Sequence, residues 1–159
     1  MPRFKIIIQY DGSSFSGWQL QKNRKTVQGE IENALKVISR SKLRISVHGS
    51  GRTDSGVHAY GQVAHFDLDT NLDSSELCNA INSNTAKECK IMSVVEADND
   101  FESRFDARKR WYRYQVYKGS SILYRNQAWL KNDIDFNLLR LVSKTILGEH
   151  DFLSFSKYR

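Results

Sequence analysis

One segment, between residues 49 and 67, concentrates the residue types that do chemistry: GSGRTDSGVHAYGQVAHFD. It contains Arg52, Thr53 and Asp54 together with four of the nine glycines of the chain. Glycine lets the backbone approach a ligand closely and adopt a positive φ. Arg52 and Asp54 are two residues apart, so in an extended backbone their side chains point the same way. The segment therefore predicts a loop that presents a guanidinium and a carboxylate together.

The carboxylate of Asp54 is the candidate catalytic group of this loop. A guanidinium beside a carboxylate keeps it ionised, and an ionised carboxylate serves as a nucleophile or a general base. The alternative is a Thr-Asp-Ser-Gly turn with a surface ion pair, because carboxylates are common in turns. The residues by themselves leave both interpretations open.

A second segment, RKRWYRYQVY from residue 108 to residue 117, alternates basic and aromatic side chains. It predicts a long strand over residues 108–118, whose side chains alternate between two faces. One face holds Arg108, Arg110, Tyr112 and Tyr114, and the other holds Lys109, Trp111, Arg113 and Tyr117. Aromatic rings interleaved with arginine are typical of stacking on bases and contact with phosphates. Core aromatics beside snorkelling arginines are the open alternative.

Other chemistries have little support in the sequence. His48, His58 and His65 have spacings that match no usual zinc pattern, so structural histidines are expected. The dinucleotide, P-loop and zincin motifs do not occur in the sequence.

Composition indicates a globular chain. Of its 159 residues, 40% are hydrophobic and 26% are charged, and the net charge of +6 weakly favours a polyanionic partner. Cys78 and Cys89 form no CxxC pair, which predicts reduced thiols and a cytoplasmic protein. No apolar run approaches the length of a membrane span, so no membrane partner is expected.

The strands and helices predicted around these segments follow a recognisable order. Strands are predicted at residues 3–10, 43–47, 62–68 and 90–95, and helices follow Thr26 and span residues 73–82. The order β-α-β-β-α-β predicts an α+β, ferredoxin-like split βαβ fold, with an antiparallel sheet and both helices on one face. An extra strand (108–118) and an extra helix (135–147) follow. In this helix Leu138, Leu139, Val142 and Ile146 are predicted to point inward.

The glycine-rich segment resembles the catalytic motif of the TruA family of tRNA pseudouridine synthases. Further segments resemble that family in the same order along the chain. They are Tyr10-Asp11-Gly12 with Gly17-Trp18, Val27-Gln28 with Glu30, Phe101 with Arg104-Phe105, and residues 147–152 (LGEHDF). The resemblance covers nearly the whole chain.

This resemblance implies isomerisation of uridine to pseudouridine in the tRNA anticodon stem-loop, at positions 38–40, without cofactor or metal. It implies that Asp54 is the catalytic aspartate and that Arg52 pairs with it and helps to extrude the target nucleotide. It also implies that Tyr112 stacks on the target uracil. We further expect Gly51, Thr53 and Arg110 to contribute to substrate binding.

The family has two similar halves, and this chain resembles the first half and the start of the second. We therefore expect a ferredoxin-like half-domain with the catalytic loop at residues 1–106. Residues 107–159 are expected to begin the second half, whose remainder is absent. The expected partners are tRNA and a second copy of the chain. An RNA-binding half-domain without catalytic activity is the alternative.

Overall fold

The computed structural model describes residues 1–155 of the chain. It divides into two units, Met1–Trp111 and Tyr112–Arg159, and each is described separately. In the described part of the chain, no helix is long and apolar enough to cross a membrane.

The first unit has the predicted α+β order. Its elements are β1 (Arg3–Tyr10), α1 (Val27–Ser39), β2 (His48–Gly49), β3 (Ala59–Asp67), α2 (Ser74–Ser83) and β4 (Cys89–Ala97). The four strands form one sheet in the order β2-β3-β1-β4, and every neighbouring pair is antiparallel. The predicted ferredoxin-like arrangement is confirmed.

The core lies between one face of the sheet and the two helices. Every second residue of β1 is buried, starting with Phe4, because side chains alternate between the faces of a strand. The helices supply buried residues at helical spacing, among them Ile31 and Leu35 from α1 and Leu77 and Ile81 from α2. Each such side chain contributes roughly 1.5–3 kcal/mol when fully buried. This sheet and its helices form the scaffold for the loop between β2 and β3.

The predicted helix starts are confirmed. The Thr26 side chain accepts a hydrogen bond from the backbone N–H of Gly29, which caps α1. The Asp73 and Glu76 side chains form a capping box at the start of α2.

The strand predicted at residues 43–47 is wrong, because only the two residues of β2 pair with β3. The carboxylate of Glu32, which is 6% exposed, accepts a hydrogen bond of 3.0 Å from the backbone N–H of Val47. It also accepts two hydrogen bonds from the Arg44 guanidinium, of 2.7 and 2.9 Å. Residues 44 and 47 are therefore tied to helix α1 instead of to a sheet.

The second unit contains β5 (Val116–Lys118), β6 (Trp129–Lys131) and α3 (Phe136–Thr145), and β5 and β6 are parallel. The long strand predicted over residues 108–118 is wrong, since only the last three residues are a strand. A strand needs a neighbour for its backbone groups, and β6 pairs with those three residues only. The two predicted faces of a continuous strand therefore do not exist.

The helix predicted at residues 135–147 is confirmed as α3, with Asp135 as its N-cap. The inward orientation predicted for its apolar residues is wrong. Leu138, Leu139, Val142 and Ile146 are all exposed, and no residue of α3 is buried. The helical spacing places these side chains on one face, and none of residues 112–155 of the same unit covers that face.

Both cysteines are free thiols, as predicted. Burial raises the pKa of the Cys89 thiol to about 12.

Candidate active site

The loop of residues 50–58 joins β2 to β3 and carries the candidate catalytic residues. Arg52 and Asp54 are both exposed. A turn follows, in which the Val57 backbone N–H donates to the Asp54 carbonyl at 3.2 Å and Gly56 has a φ of +81°. Within residues 1–155, no ion pair or hydrogen bond joins the Arg52 and Asp54 side chains. The structure brings the two residues to one loop and leaves both side chains accessible to a ligand.

The segment of residues 10–18 supports this loop on both sides of the candidate carboxylate. The Tyr10 hydroxyl lies 2.8 Å from the Thr53 hydroxyl. The Trp18 backbone N–H donates to the Thr53 carbonyl at 2.9 Å. The Ser55 hydroxyl donates to the Phe15 carbonyl at 3.2 Å. The residues before and after the carboxylate are therefore both tied to the first unit.

Two glycines allow this close approach. Gly17 has a φ of +93°, and a Cβ there would lie 2.7 Å from the Thr53 carbonyl oxygen. A Cβ on Gly12 would lie 2.0 Å from the carbonyl oxygen of Val57. Both contacts are with backbone atoms, which cannot rotate away as a side chain does. In the sequence, both glycines belong to a turn-like segment (residues 11–17) and to the family resemblance, and neither signal shows that the candidate catalytic loop packs against them.

The first residues of the loop are held by two further side chains. The Arg110 guanidinium donates to the Ser50 carbonyl through Nε at 3.1 Å and Nη2 at 2.6 Å. Its Nη2 also donates to the Arg104 carbonyl at 3.0 Å. The Gln62 amide donates to the Gly51 carbonyl and accepts the Ser50 hydroxyl at 3.1 Å. Arg110 and Gly51, both predicted to bind substrate, thus engage groups of their own chain.

The end of the loop is held by His58. Its Nδ1 lies 3.0 Å from the Asp11 carboxylate and 3.3 Å from the Gly12 backbone N–H. The Asp11 carboxylate also accepts the Ser13 backbone N–H at 2.9 Å. That hydrogen bond, with the nearby His58, lowers the pKa of Asp11. His58 therefore has structural partners, as expected from its spacing.

A buried histidine lies beside the strand that leads into the loop. His65 is 2% exposed and stacks on His48, with ring centroids 5.1 Å apart. Its Nδ1 accepts the Ser103 backbone N–H at 3.2 Å, and its Nε2 lies 3.5 Å from the Glu102 carboxylate. Burial lowers the pKa of His65. A neutral ring suits this position, because Nδ1 must keep a lone pair for Ser103.

Tyr112 belongs to the second unit, where its ring is exposed. Its predicted stacking on a base stays a prediction.

The site thus offers an accessible carboxylate on a loop whose neighbouring residues are fixed by hydrogen bonds. A carboxylate held in this way is suited to attack an electron-poor carbon or to accept a proton, because little reorganisation is needed.

Comparisons with known proteins point to one family. A family profile described as tRNA pseudouridine synthase matches residues 6–106. The chain is 41% identical over 161 residues to "tRNA pseudouridine synthase A" of Rhizobium meliloti (strain 1021), covering 98% of this chain and 64% of the relative. It is 43% identical over 158 residues to the protein of the same name in Maridesulfovibrio salexigens, covering 98% of this chain and 58% of that relative. The chain therefore spans about three fifths of the length of these relatives.

Proposed function

The chain belongs to the tRNA pseudouridine synthase family, and we propose that the protein isomerises uridine to pseudouridine in tRNA with Asp54 as its catalytic residue. The observation that carries this proposal is the exposed Asp54 on a loop tied down at Thr53 and Ser55. Fixing the neighbours of a reacting group lowers the entropic cost of reaching the reactive geometry.

The reaction exchanges one bond of the uracil for another. The C1′–N1 bond breaks, the base rotates and a C1′–C5 bond forms, while C5 loses a proton and N1 gains one. Asp54 acts on the sugar, either as a nucleophile at C1′ or as a base that removes a sugar proton. Both routes use a carboxylate close to an electron-poor glycosidic carbon, as glycosidases do. Neither route needs an added redox group, because the product is an isomer of the substrate.

The substrate position proposed is the anticodon stem-loop, at uridines 38–40. A base within a stem must leave the stack before an enzyme can reach its sugar. Arg52 is exposed two residues before Asp54, and we assign it to the gap that the base leaves. We assign Tyr112 to stacking on the extruded uracil, and Gly51 and Thr53 to shaping the loop that carries Asp54.

The proposed partners are tRNA and a second copy of the chain, in the cytoplasm. The net charge of +6 favours a polyanion. The exposed apolar residues of α3, such as Leu138 and Leu139, favour association because they are otherwise left in water. Sedimentation of the protein tests the dimer: a monomer at micromolar concentration contradicts it.

The experiment that tests the activity is pseudouridine mapping on a transcribed tRNA incubated with the intact protein. We expect pseudouridine in the anticodon stem-loop, and none there when positions 38–40 are cytidine. Asp54→Asn should lower the rate by about 10²–10⁴-fold with tRNA binding retained. The matched control is Asp69→Asn, which removes another exposed carboxylate outside the loop.

Two results would count against the proposal. Full activity of Asp54→Asn would remove the catalytic assignment. Tight tRNA binding by the wild-type protein without any pseudouridine would favour the alternative, an RNA-binding half-domain without catalysis.

A further inference from the structure

We infer that Arg110 is a positioning residue that fixes the start of the Asp54 loop, and that it is not a phosphate contact. The kinetic part of this inference rests on the proposed function, whereas its structural part does not. A basic residue beside an RNA site is expected to face phosphates, but the donors of Arg110 are directed to its own backbone.

The geometry of the guanidinium carries the inference. Two of its nitrogens, Nε and Nη2, converge on the carbonyl of Ser50, and Nη2 also reaches the carbonyl of Arg104. One rigid, charged group thus joins the start of the loop to a second backbone segment. Hydrogen bonds from a charged donor are about twice as strong as neutral ones.

The second segment is itself anchored, so it provides a fixed point. Ser103, next to Arg104, is 2% exposed. Its backbone N–H donates to His65 at 3.2 Å and its hydroxyl donates to the His48 carbonyl at 2.7 Å. The hydrogen bond from Arg110 to the Arg104 carbonyl therefore connects the start of the loop to a segment that is anchored on the buried His65 of β3.

The opposite side of the loop start is held from the sheet. The Ser50 backbone N–H donates to the Val63 carbonyl at 2.8 Å, and the Gln62 amide donates to the Gly51 carbonyl. The start of the loop is thus held by Arg110 and by β3, and we call this pair of supports the clamp. Since Thr53 is held separately by Trp18, only Arg52 separates the two anchored parts of the loop before Asp54.

The first test compares Arg110→Gln and Arg110→Lys with the control Arg108→Gln in the intact protein. Arg108 is a nearby exposed residue of the same charge, so its replacement removes charge without opening the clamp. For Arg110→Gln we expect kcat to fall about 10–100-fold, the cost of a small misplacement of a catalytic group. KM and the salt dependence of tRNA binding should stay close to those of the wild-type protein.

Arg110→Lys separates geometry from charge. Lysine keeps the charge but lacks the planar fork, so it should recover little of the lost kcat. A phosphate contact predicts the reverse pattern: kcat is kept in all variants and affinity for tRNA falls. It also predicts a salt slope shallower by about 0.7–0.9 in Arg110→Gln. That pattern would overturn the inference.

A second measurement needs no activity. Arg52 is a trypsin site within the loop, so its cleavage rate reports how firmly the loop is held. We expect cleavage after Arg52 to be at least about 5-fold faster in Arg110→Gln than in Arg108→Gln, because a freed loop opens more often. Equal cleavage rates would overturn the inference. If the wild-type protein forms no pseudouridine but the cleavage difference appears, the proposed function fails and the clamp stands.

Discussion

The two units have similar patterns of hydrophobic residues, but many of these residues are buried in the first unit and none is buried in the described part of the second. In the first unit, 19 hydrophobic residues are buried in a single core. In the second, none of residues 112–155 is buried. Leu35 of α1 is 0% exposed, whereas Leu138 of α3, which is also an amphipathic helix, is 56% exposed. The spacing of apolar residues determines which side chains share a face, but a second surface must be present before that face is buried.

The candidate site residues lie in different units. Arg52 and Asp54 lie on a loop whose supports are all within the first unit. Tyr112 lies in the second unit, in which none of residues 112–155 is buried. The position of the loop therefore depends on the packing of the first unit, and its supports are the places to disturb it.

The largest effect on stability should come from a matched pair of leucines. Leu35→Ala removes a fully buried side chain from the core and should cost about 2–5 kcal/mol of unfolding free energy. In the monomer, Leu138→Ala removes a side chain that is already in contact with water, so at a protein concentration below that of self-association it should cost less than about 0.5 kcal/mol. Urea unfolding of both variants measures the difference. Equal losses would mean that α3 is as well packed as α1.

The free energy of unfolding should be nearly as sensitive to a substitution at Gly12, where the loop packs against the backbone. Gly12→Ala places a Cβ against the Val57 carbonyl, and this overpacking should cost about 3 kcal/mol. Gly56→Ala is the control, since nothing lies within 4 Å of a Cβ there, although its φ is +81°. It should cost only about 1–2 kcal/mol, the penalty of a left-handed residue. If urea unfolding shows a larger loss of unfolding free energy for Gly56→Ala than for Gly12→Ala, the close packing of the loop against Gly12 is contradicted.

Removing the Glu32 carboxylate should have a smaller effect. Glu32→Ala leaves the Val47 backbone N–H without its acceptor and should cost about 2 kcal/mol. Glu96→Ala, which removes an exposed carboxylate from β4, is the control and should change stability by less than about 0.5 kcal/mol. Thermal unfolding that gives the same midpoint for both variants would count against the role of Glu32.

The smallest effect is on the pH dependence of stability. Burial holds the pKa of His65 below its ordinary value of 6.5, so the unfolded chain takes up the proton first. The resulting stability is complete above about pH 6.5 and is lost as the pH falls through the folded pKa. His65→Gln should flatten the curve of unfolding free energy as the pH falls from about 6.5 through the folded pKa. An unchanged slope would mean that another group causes the pH dependence.

Local signals predicted most of the first unit from the sequence. The alternation in β1, the cap at Thr26 and the capping box at Asp73 each involve neighbours within four residues, so they can be recognised without tertiary contacts. The strand predicted at residues 43–47 failed because Glu32, more than ten residues earlier, takes the backbone donor of Val47. A contact of that kind leaves no periodic trace in the sequence.

The site was predicted in the same uneven way. The dense GRTD segment correctly indicated a loop carrying Asp54. The sequence indicated neither that Gly12 and Gly17 receive this loop nor that Arg110 binds its first carbonyl, because these contacts join residues 36–60 positions apart. An exposed arginine near aromatic residues looks the same in sequence whether it binds RNA or its own backbone.

Amide hydrogen exchange across the whole chain measures the difference in packing between the two units most directly. At a concentration at which the chain is monomeric, the central amides of β1 should exchange at least about 10³-fold more slowly than those of α3, because the amides of β1 exchange only when the core opens. The Trp18 and Val57 amides, which hold the loop, should be protected to an intermediate degree. Equal protection of β1 and α3, or Trp18 and Val57 amides that exchange as fast as those of an unfolded chain, would contradict the account.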